Sequence, residues 1–365
     1  MANQAIPLVK VAMAPEETLW PMLREVLYSG QIGDGETVAR FEAAFAEHFA
    51  IPLALSMQSG TAALHAALTL AGVRSGDEVI SSPMTAEPTN IAILHTGARV
   101  IWADVDPRSG NIDPESIRRN ITPRTKAIMV VHYGGLPVRL AEILKIAKEH
   151  NLPVIEDCAH ALGATYQGAS VGTLSHYGIF SFQAIKHMTT VDGGMLTLRD
   201  ASQLRAARLF RWFGLERGVA RTAVDITSVG YKYNMNNVTA AIGLAQLQQI
   251  GSLLERHKSN GKYFDRVLSS IPGVEVATFD AQAEPSYWYY TILTDHSDDI
   301  IKKLEENGIS ASKLHKRNDL HSIFADARTE LPGLDKFYRR MLHIPCGWWV
   351  DDEARETIAN VLRQG

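Results

Sequence analysis

Three short segments of this 365-residue chain carry residue types that can do chemistry together. The first is Ser181-Phe-Gln-Ala-Ile-Lys186-His-Met-Thr-Thr-Val-Asp-Gly193-Gly194. It sets a lysine among apolar and small residues, between two short apolar runs. A lysine stripped of part of its water is more often the neutral amine, and a neutral amine attacks a carbonyl to form an imine. The same spacing also suits a surface lysine whose stem lies over apolar neighbours. The second is Leu152-Pro-Val-Ile-Glu-Asp157-Cys-Ala-His160-Ala-Leu-Gly163, an apolar run that ends in adjacent carboxylates. In parallel α/β sheets ligands sit beyond the carboxyl ends of strands, which is where this run puts Asp157. An aspartate there also serves as a helix N-cap, and a lone histidine such as His160 is more often structural than catalytic. The third is Ser59-Gly60-Thr61-Ala-Ala-Leu, a small turn that runs into a helix. Its free N–H groups and the helix dipole suit an anion the size of phosphate, although any capped helix looks the same. Together, a lysine, a strand-end carboxylate and a phosphate-sized helix N-terminus are what pyridoxal phosphate needs. The lysine makes an imine, the carboxylate keeps the pyridine nitrogen protonated, and the turn holds the phosphate.

The elements that must position these residues follow from hydrophobic period. Glu36–Ala50 puts Val38, Phe41, Phe45 and Phe49 on one helical face. Thr61–Ala71 is Ala/Leu-rich and stops at Gly72. Val79–Ser82, Val100–Ala103, Ala127–Val131 and Val154–Glu156 are short apolar runs separated by helix-length segments, which predicts βαβ units and a mainly parallel sheet. Gly178–Phe182 and Met195–Leu198 are two more strands, suited to pairing with each other. From about residue 235 the texture changes. Val238–Leu268 reads as one long helix or two joined at Gly251. The rest mixes a strand (Tyr287–Leu293) with helices (Asp298–Asn307, Asp351–Leu362). The expected architecture is a large α/β domain over residues 1–250 and a smaller α+β domain over residues 251–365.

Composition excludes several classes. The chain is 46% hydrophobic and 21% charged with 27 Gly and 15 Pro, unlike collagen-like, disordered or disulfide-scaffold sequences. Net charge is −4 and no basic run reaches five residues, so no nucleic-acid partner is expected. Cys158 and Cys346 form no CxxC and no metal spacing, and read as reduced thiols. The first ten residues lack the apolar region of a secretory leader. Ile51–Val73 has no Asp, Glu, Lys or Arg, but Ser56, Gln58, Ser59, Gly60, Thr61 and His65 interrupt it, so no membrane span is expected. These readings predict a cytoplasmic protein. Gly33-Asp-Gly35-Glu-Thr-Val38 lacks the third glycine of a dinucleotide turn, and there is no GxxxxGK, HExxH or GxSxG.

Further motifs accompany the first three: Gly76-Asp-Glu-Val-Ile, Pro123-Arg-Thr-Lys-Ala-Ile followed by Val131-His132, Gly230-Tyr with Met235, and Ala240-Ala-Ile-Gly-Leu-Ala-Gln-Leu247. In this order and spacing the chain resembles, over nearly its whole length, the DegT/StrS family of fold-type I pyridoxal-phosphate enzymes, mostly nucleotide-sugar aminotransferases. The resemblance implies that Lys186 forms the imine with the cofactor and later moves the substrate proton. It implies that Asp157 pairs with the pyridinium nitrogen and that Ser59, Gly60, Thr61 and Ser181 meet the phosphate. His160 stands where the family often has Gln, near the phenolic oxygen of the cofactor. The family's dimer sends a loop into the partner's site, and Gly230–Asn237 matches that loop.

Three departures from the family bear on the substrate. Lys232 occupies the loop position where Asn commonly faces the partner's phosphate. Asn234 stands where Arg is common. Ala86 replaces the aromatic residue that usually stacks on the cofactor ring. His315, Lys316 and Arg317 form a polar cluster suited to a sugar diphosphate or to a solvated loop. Tyr287-Trp288-Tyr289-Tyr290 suits a pocket wall, though aromatic runs more often form core or interface. The expected function is a homodimeric pyridoxal-phosphate aminotransferase that converts a keto sugar, nucleotide-linked, to an amino sugar with glutamate as donor and no metal. The competing readings are transamination of an aminocyclitol or other amine, sugar dehydration, for which the family replaces the lysine with histidine, and a non-catalytic sensor.

Overall fold

Val38, Phe41 and Phe45 recur at helical spacing, and they are the buried face of the helix Glu36–His48 in the computed structural model, which describes residues 5–364. The short apolar runs become strands of a seven-stranded sheet. Its order is Ala54–Met57, Gly194–Leu198, Tyr177–Ser181, Val154–Asp157, Thr125–Val131, Glu78–Ser81, Arg99–Trp102. Gly194–Leu198 runs antiparallel to both neighbours, and every other pairing is parallel. Most of these strands are apolar on both faces because helices cover both sides, leaving a separate apolar core above and below the sheet. Register then sets the site. Val131 pairs with Asp157, and Asp157 with Ile179, so three strands present their carboxyl ends at one edge.

The Val238–Leu268 segment is two helices, Asn237–Leu247 and Ile250–Leu268, but they do not join at Gly251. The break lies at Gln248 and Gln249, and Gly251 lies inside the second helix. An isolated helical glycine costs only about 1 kcal/mol. The buried face of Leu254, His257, Phe264 and Leu268 outweighs that cost.

A second, three-stranded antiparallel sheet is made of Glu275–Val276, Tyr290–Leu293 and Met341–Ile344, with its own core of Phe264, Leu268, Ile292, Leu304, Leu342, Ile358 and Leu362. The N-terminal segment crosses to this body: Ile6 bridges Ile309, and Trp349 Nε1 donates to the Pro7 carbonyl at 2.8 Å. Of the predicted Tyr287–Leu293 strand, only Tyr290–Leu293 pairs within the sheet. Residues 286–288 instead dock on the turn at Gly134–Gly135, where Ser286 N donates to Gly135 O and Trp288 N to Gly134 O. Gly135 has φ +90°, and a Cβ there would lie 2.8 Å from both His160 O and Tyr287 N, so only glycine permits this approach. No helix among the described residues is long and apolar enough to cross a membrane.

Candidate active site

The three segments converge on a cavity of about 350 Å³ at the carboxyl edge of the large sheet. Ser59, Gly60, Thr61, Ala86, Asp157, His160, Ser181, Lys186 and His315 all line it, together with Thr89 and Trp288. A larger, open cleft of about 840 Å³ lies elsewhere, beside Lys258, Lys262 and Arg266, and holds none of these residues.

Strand alternation separates the two adjacent carboxylates. Glu156 is fully buried on one face and accepts hydrogen bonds from Gly172 N (3.0 Å), Ser175 N (3.2 Å) and Ser175 Oγ (2.6 Å). Val138 N donates to His132 Nδ1 at 3.1 Å, so the ring proton is on Nε2 and goes to Glu156 at 3.0 Å. Burial pushes the Glu156 carboxyl up, but these donors outweigh it and leave the pKa below the usual range. Glu156 is saturated and structural. Asp157 faces the cavity. Its Oδ1 accepts from Ala159 N at 3.0 Å and its Oδ2 from Thr89 Oγ1 at 2.8 Å. Burial holds its pKa above the usual carboxylate range, while Ala159, Thr89 and the charge of Lys186 act in the opposite direction. A buried carboxylate with few donors calls for a cationic or protonated partner in the cavity.

The phosphate-sized turn is built by close approach. Ser59 caps the helix Gly60–Leu70, its Oγ accepting from Ala62 N at 3.1 Å. The first-turn N–H groups of Gly60 and Thr61 have no acceptor within the helix. A Cβ on Gly60 would meet Ser181 Cβ at 2.9 Å, and one on Gly194 would meet Ser59 C at 2.5 Å. The Gly193-Gly194 pair thus brings the helix N-terminus and the Ser181 hydroxyl to one point.

Lys186 has no carboxylate within 4.0 Å among the described residues. Its Nζ lies 3.8 Å from the ring centroid of Trp288 instead. Burial lowers its pKa to about 8, with Asp157 opposing the shift. His160 stacks on Trp288 (4.1 Å, 27°) and lies parallel to His315 at 5.4 Å. Burial first, and then the Lys186 charge, push His160 well below the usual imidazole range and His315 to about 4. Both rings are neutral at pH 7. His160 Nδ1 and His315 Nε2 are buried without a partner, two orphaned polar atoms beside the cavity. An amine, a buried carboxylate, an anion cradle and unpaired imidazole nitrogens are a donor set that fits pyridoxal phosphate.

Three predicted site residues, Arg317, Lys316 and Lys232, and the departure at Asn234 lie outside this cavity. Arg317 forms a two-pronged pair with Asp319 (2.8 Å on both prongs) and also bonds Asp335, so its guanidinium is occupied within the protein. Lys316 is exposed beside it. Lys232 is exposed in its loop, 4.4 Å from the Trp212 ring. Asn234 is buried and its Nδ2 donates to the Met235 carbonyl. Sequence reasoning misses Thr89 and does not single out Trp288. For Thr89 the available signal is a polar residue about one helical turn past Ala86, in Ala86-Glu-Pro-Thr89. Trp288 stood in an aromatic run whose pocket-facing member spacing alone does not single out. Asn318 secures the wall that carries His315: its Nδ2 donates to Thr85 O at 2.9 Å and its Oδ1 accepts from Asn90 at 2.8 Å.

Comparison with known proteins agrees with this arrangement. Residues 15–363 match the model of the DegT/DnrJ/EryC1/StrS aminotransferase family. The fold superposes on the crystal structure of AtS13 from Actinomadura melliaura with a TM-score of 0.96, at 39% identity and 100% coverage of both chains. The sugar aminotransferase CalS13 from Micromonospora echinospora gives 0.95 at 39% identity, covering 99% of this chain and 100% of that one. A dTDP-4-dehydro-2,3,6-trideoxy-D-glucose 4-aminotransferase from Saccharopolyspora spinosa is 31% identical over 94% of this chain and 92% of its own. The chain belongs to the DegT/DnrJ/EryC1/StrS aminotransferase family, and its cofactor is pyridoxal 5′-phosphate.

Proposed function

We propose that this aminotransferase moves an amino group from an amino acid, glutamate first among candidates, to the keto carbon of a nucleotide-linked sugar. The carrying observation is that Lys186 and Asp157 line one cavity together with the N-terminus of the helix Gly60–Leu70. Pyridoxal phosphate supplies a carbonyl for imine formation and a ring that takes up electrons. The protein does the rest. Ser59, Gly60, Thr61 and Ser181 hold the phosphate. Asp157, fixed by Ala159 and Thr89, would accept the hydrogen bond of the ring nitrogen and keep that nitrogen protonated. His160, a neutral imidazole on the cavity wall, would meet the bound cofactor. Lys186 would offer the free amine for imine formation with the cofactor carbonyl, with loss of water, and would carry the proton at the substrate α-carbon, for which a pKa of about 8 is well placed. His315 is the substrate-side contact this reading retains from the predicted cluster.

Sugar dehydration fits less well. His187 is buried against the Ser286 carbonyl (3.2 Å) and does not line the cavity, so it is no substitute for Lys186. We further read the chain as two domains, 1–250 and 251–365, of a cytoplasmic homodimer. Exposed apolar side chains, among them Tyr28 (81%) and Val229 (75%), support a partner surface. In that assembly Lys232 extends to the partner's phosphate site. The test is the visible spectrum of the protein loaded with pyridoxal phosphate, before and after L-glutamate, with Lys186→Ala alongside. A yellow band that bleaches only in the unmodified protein supports the reading. A band that persists with every amino acid tried favours a sensor.

A further inference from the structure

We propose that Trp288 is the positioning residue for Lys186: its indole face holds the lysine ammonium at the cavity wall whenever the lysine is not covalently engaged. This rests on the reading of Lys186 as the imine-forming residue.

The first ground is contact. Lys186 Nζ lies 3.8 Å from the ring centroid, and no carboxylate lies within 4.0 Å of it among the described residues. An enclosed ammonium without an ion-pair partner needs another electron-rich surface, and the face of an indole is the best aromatic one. The second ground is rigidity. Trp288 is 1% exposed. Its Nε1 donates to the carbonyl of Ile185, the residue before the lysine, at 2.9 Å. Its backbone N–H is held by Gly134 O at 3.0 Å, and its ring stacks with His160. The indole is therefore fixed to the backbone that carries Lys186. The third ground is the lining itself. Ala86 offers no ring, and Trp288 is the one Phe, Tyr or Trp among the described lining residues.

The remaining groups around Lys186 show why a face suits better than an ion pair. Asp157, at the strand end, favours the ammonium from a distance. His160, His187 and His315 all feel the lysine charge and are held neutral by burial together with it, so none of them repels the ammonium and none supplies a counter-charge. A lysine that must serve in turn as nucleophile and proton carrier needs to be kept in place without being locked in its charged form. A cation–π contact does this, because it weakens as soon as the proton leaves, while the packed ring still limits where the side chain can go.

The experiment is competitive acylation of the full-length, cofactor-free protein with trace acetic anhydride between pH 6 and 11, with Lys186 read by peptide mass spectrometry. Removing the face lowers the midpoint of Lys186, because the charged form loses its partner. Trp288→Leu is expected to shift it down by about one pH unit. Trp288→Phe keeps a ring face but loses the Nε1 hydrogen bond, and should shift it by less than half as much. An unshifted midpoint in Trp288→Leu overturns the proposal, as does Trp288→Phe shifting as far as Trp288→Leu. Should the leucine variant not fold, a series of increasingly fluorinated tryptophans keeps the shape and drains the ring. The midpoint then falls stepwise, and a constant midpoint refutes the idea. No cofactor, donor or sugar enters this assay. Failure of the aminotransferase reading shows separately, as absent glutamate-dependent bleaching in the unmodified protein.

Discussion

Of the three lysines that lie over tryptophan rings among the described residues, Lys186 and Lys232 make the closest contacts, in opposite circumstances. Lys186 lies 3.8 Å from Trp288 inside a cavity, on a ring that is 1% exposed. Lys232 lies 4.4 Å from Trp212 on an exposed loop, and that ring also carries the Arg217 guanidinium at 4.2 Å. The residue pair is the same, but the solvent is not. Water competes for the Lys232 ammonium, so its contact contributes about 0.5–1 kcal/mol, against about 2 kcal/mol or more for a desolvated one. Burial makes one lysine a reactive amine with a pKa near 8. The other lies exposed to water on its loop. Residue type names the chemistry that is possible, and the surroundings decide which copy performs it.

The largest effect should come from removing the buried amine. Lys186→Ala is expected to lose the visible band and to slow amine exchange by about 10²–10⁴-fold through the lost proton transfer alone, measured by single-turnover absorbance. Lys232→Ala keeping the band in the same assay would preserve the contrast; losing it equally would break it.

Stability should show the cost of burying the charge. The Lys186 pKa is about 8 in the folded chain and about 10.5 when unfolded. Below pH 8 both states are charged and the folded state carries the penalty. Between pH 8 and 10.5 the unfolded state binds more protons, so stability rises with pH and the penalty disappears. Cofactor-free Lys186→Met should therefore be more stable than the unmodified protein at pH 7, by about 3 kcal/mol, with the gap closing by pH 10.5 in urea melts. A gap independent of pH would mean that the lysine is not desolvated.

Asp157→Asn keeps the shape and removes the charge. A hydrogen bond to a charged group contributes about 1.5–3 kcal/mol, so the glutamate half-reaction should slow about 10–100-fold. Thr89→Val removes one of the two hydrogen bonds that fix Asp157 and should cost about 1 kcal/mol, read as a several-fold slower half-reaction. The smallest effect is on the exposed pair. Lys232→Ala should change the urea midpoint by no more than about 1 kcal/mol equivalent and leave the Lys186 acylation profile unmoved. A moved profile would show that loop and cavity are coupled.

Much of the site was legible because its parts are local. Ser59-Gly60-Thr61 is a cap and a helix start in consecutive residues, and Asp157 ends an apolar strand. The Gly193-Gly194 pair is needed because a side chain on Gly194 would strike the Ser59 backbone. Other parts could not be read this way. Arg317 suits a diphosphate by type, yet Asp319 two residues on takes it with two hydrogen bonds and Asp335 adds a further one, so no donor face is left for a ligand. Trp288 reaches the cavity because a turn at Gly134–Gly135 leaves room for its backbone. The helix break expected at Gly251 lies before it, since the packed face of the second helix outweighs glycine's low propensity.

What the sequence by itself determined is what short-range rules control: the alternation of strands and helices, the cap that opens the anion cradle, and the family to which the ordered motifs belong. These depend on backbone preferences and hydrophobic period, which act over a few residues. Tertiary structure alone decided that Arg317 is taken up within the protein, that the helix break precedes Gly251, and which member of the aromatic run reaches the cavity. Desolvation and packing arise only when distant segments meet, and so no local pattern carries them.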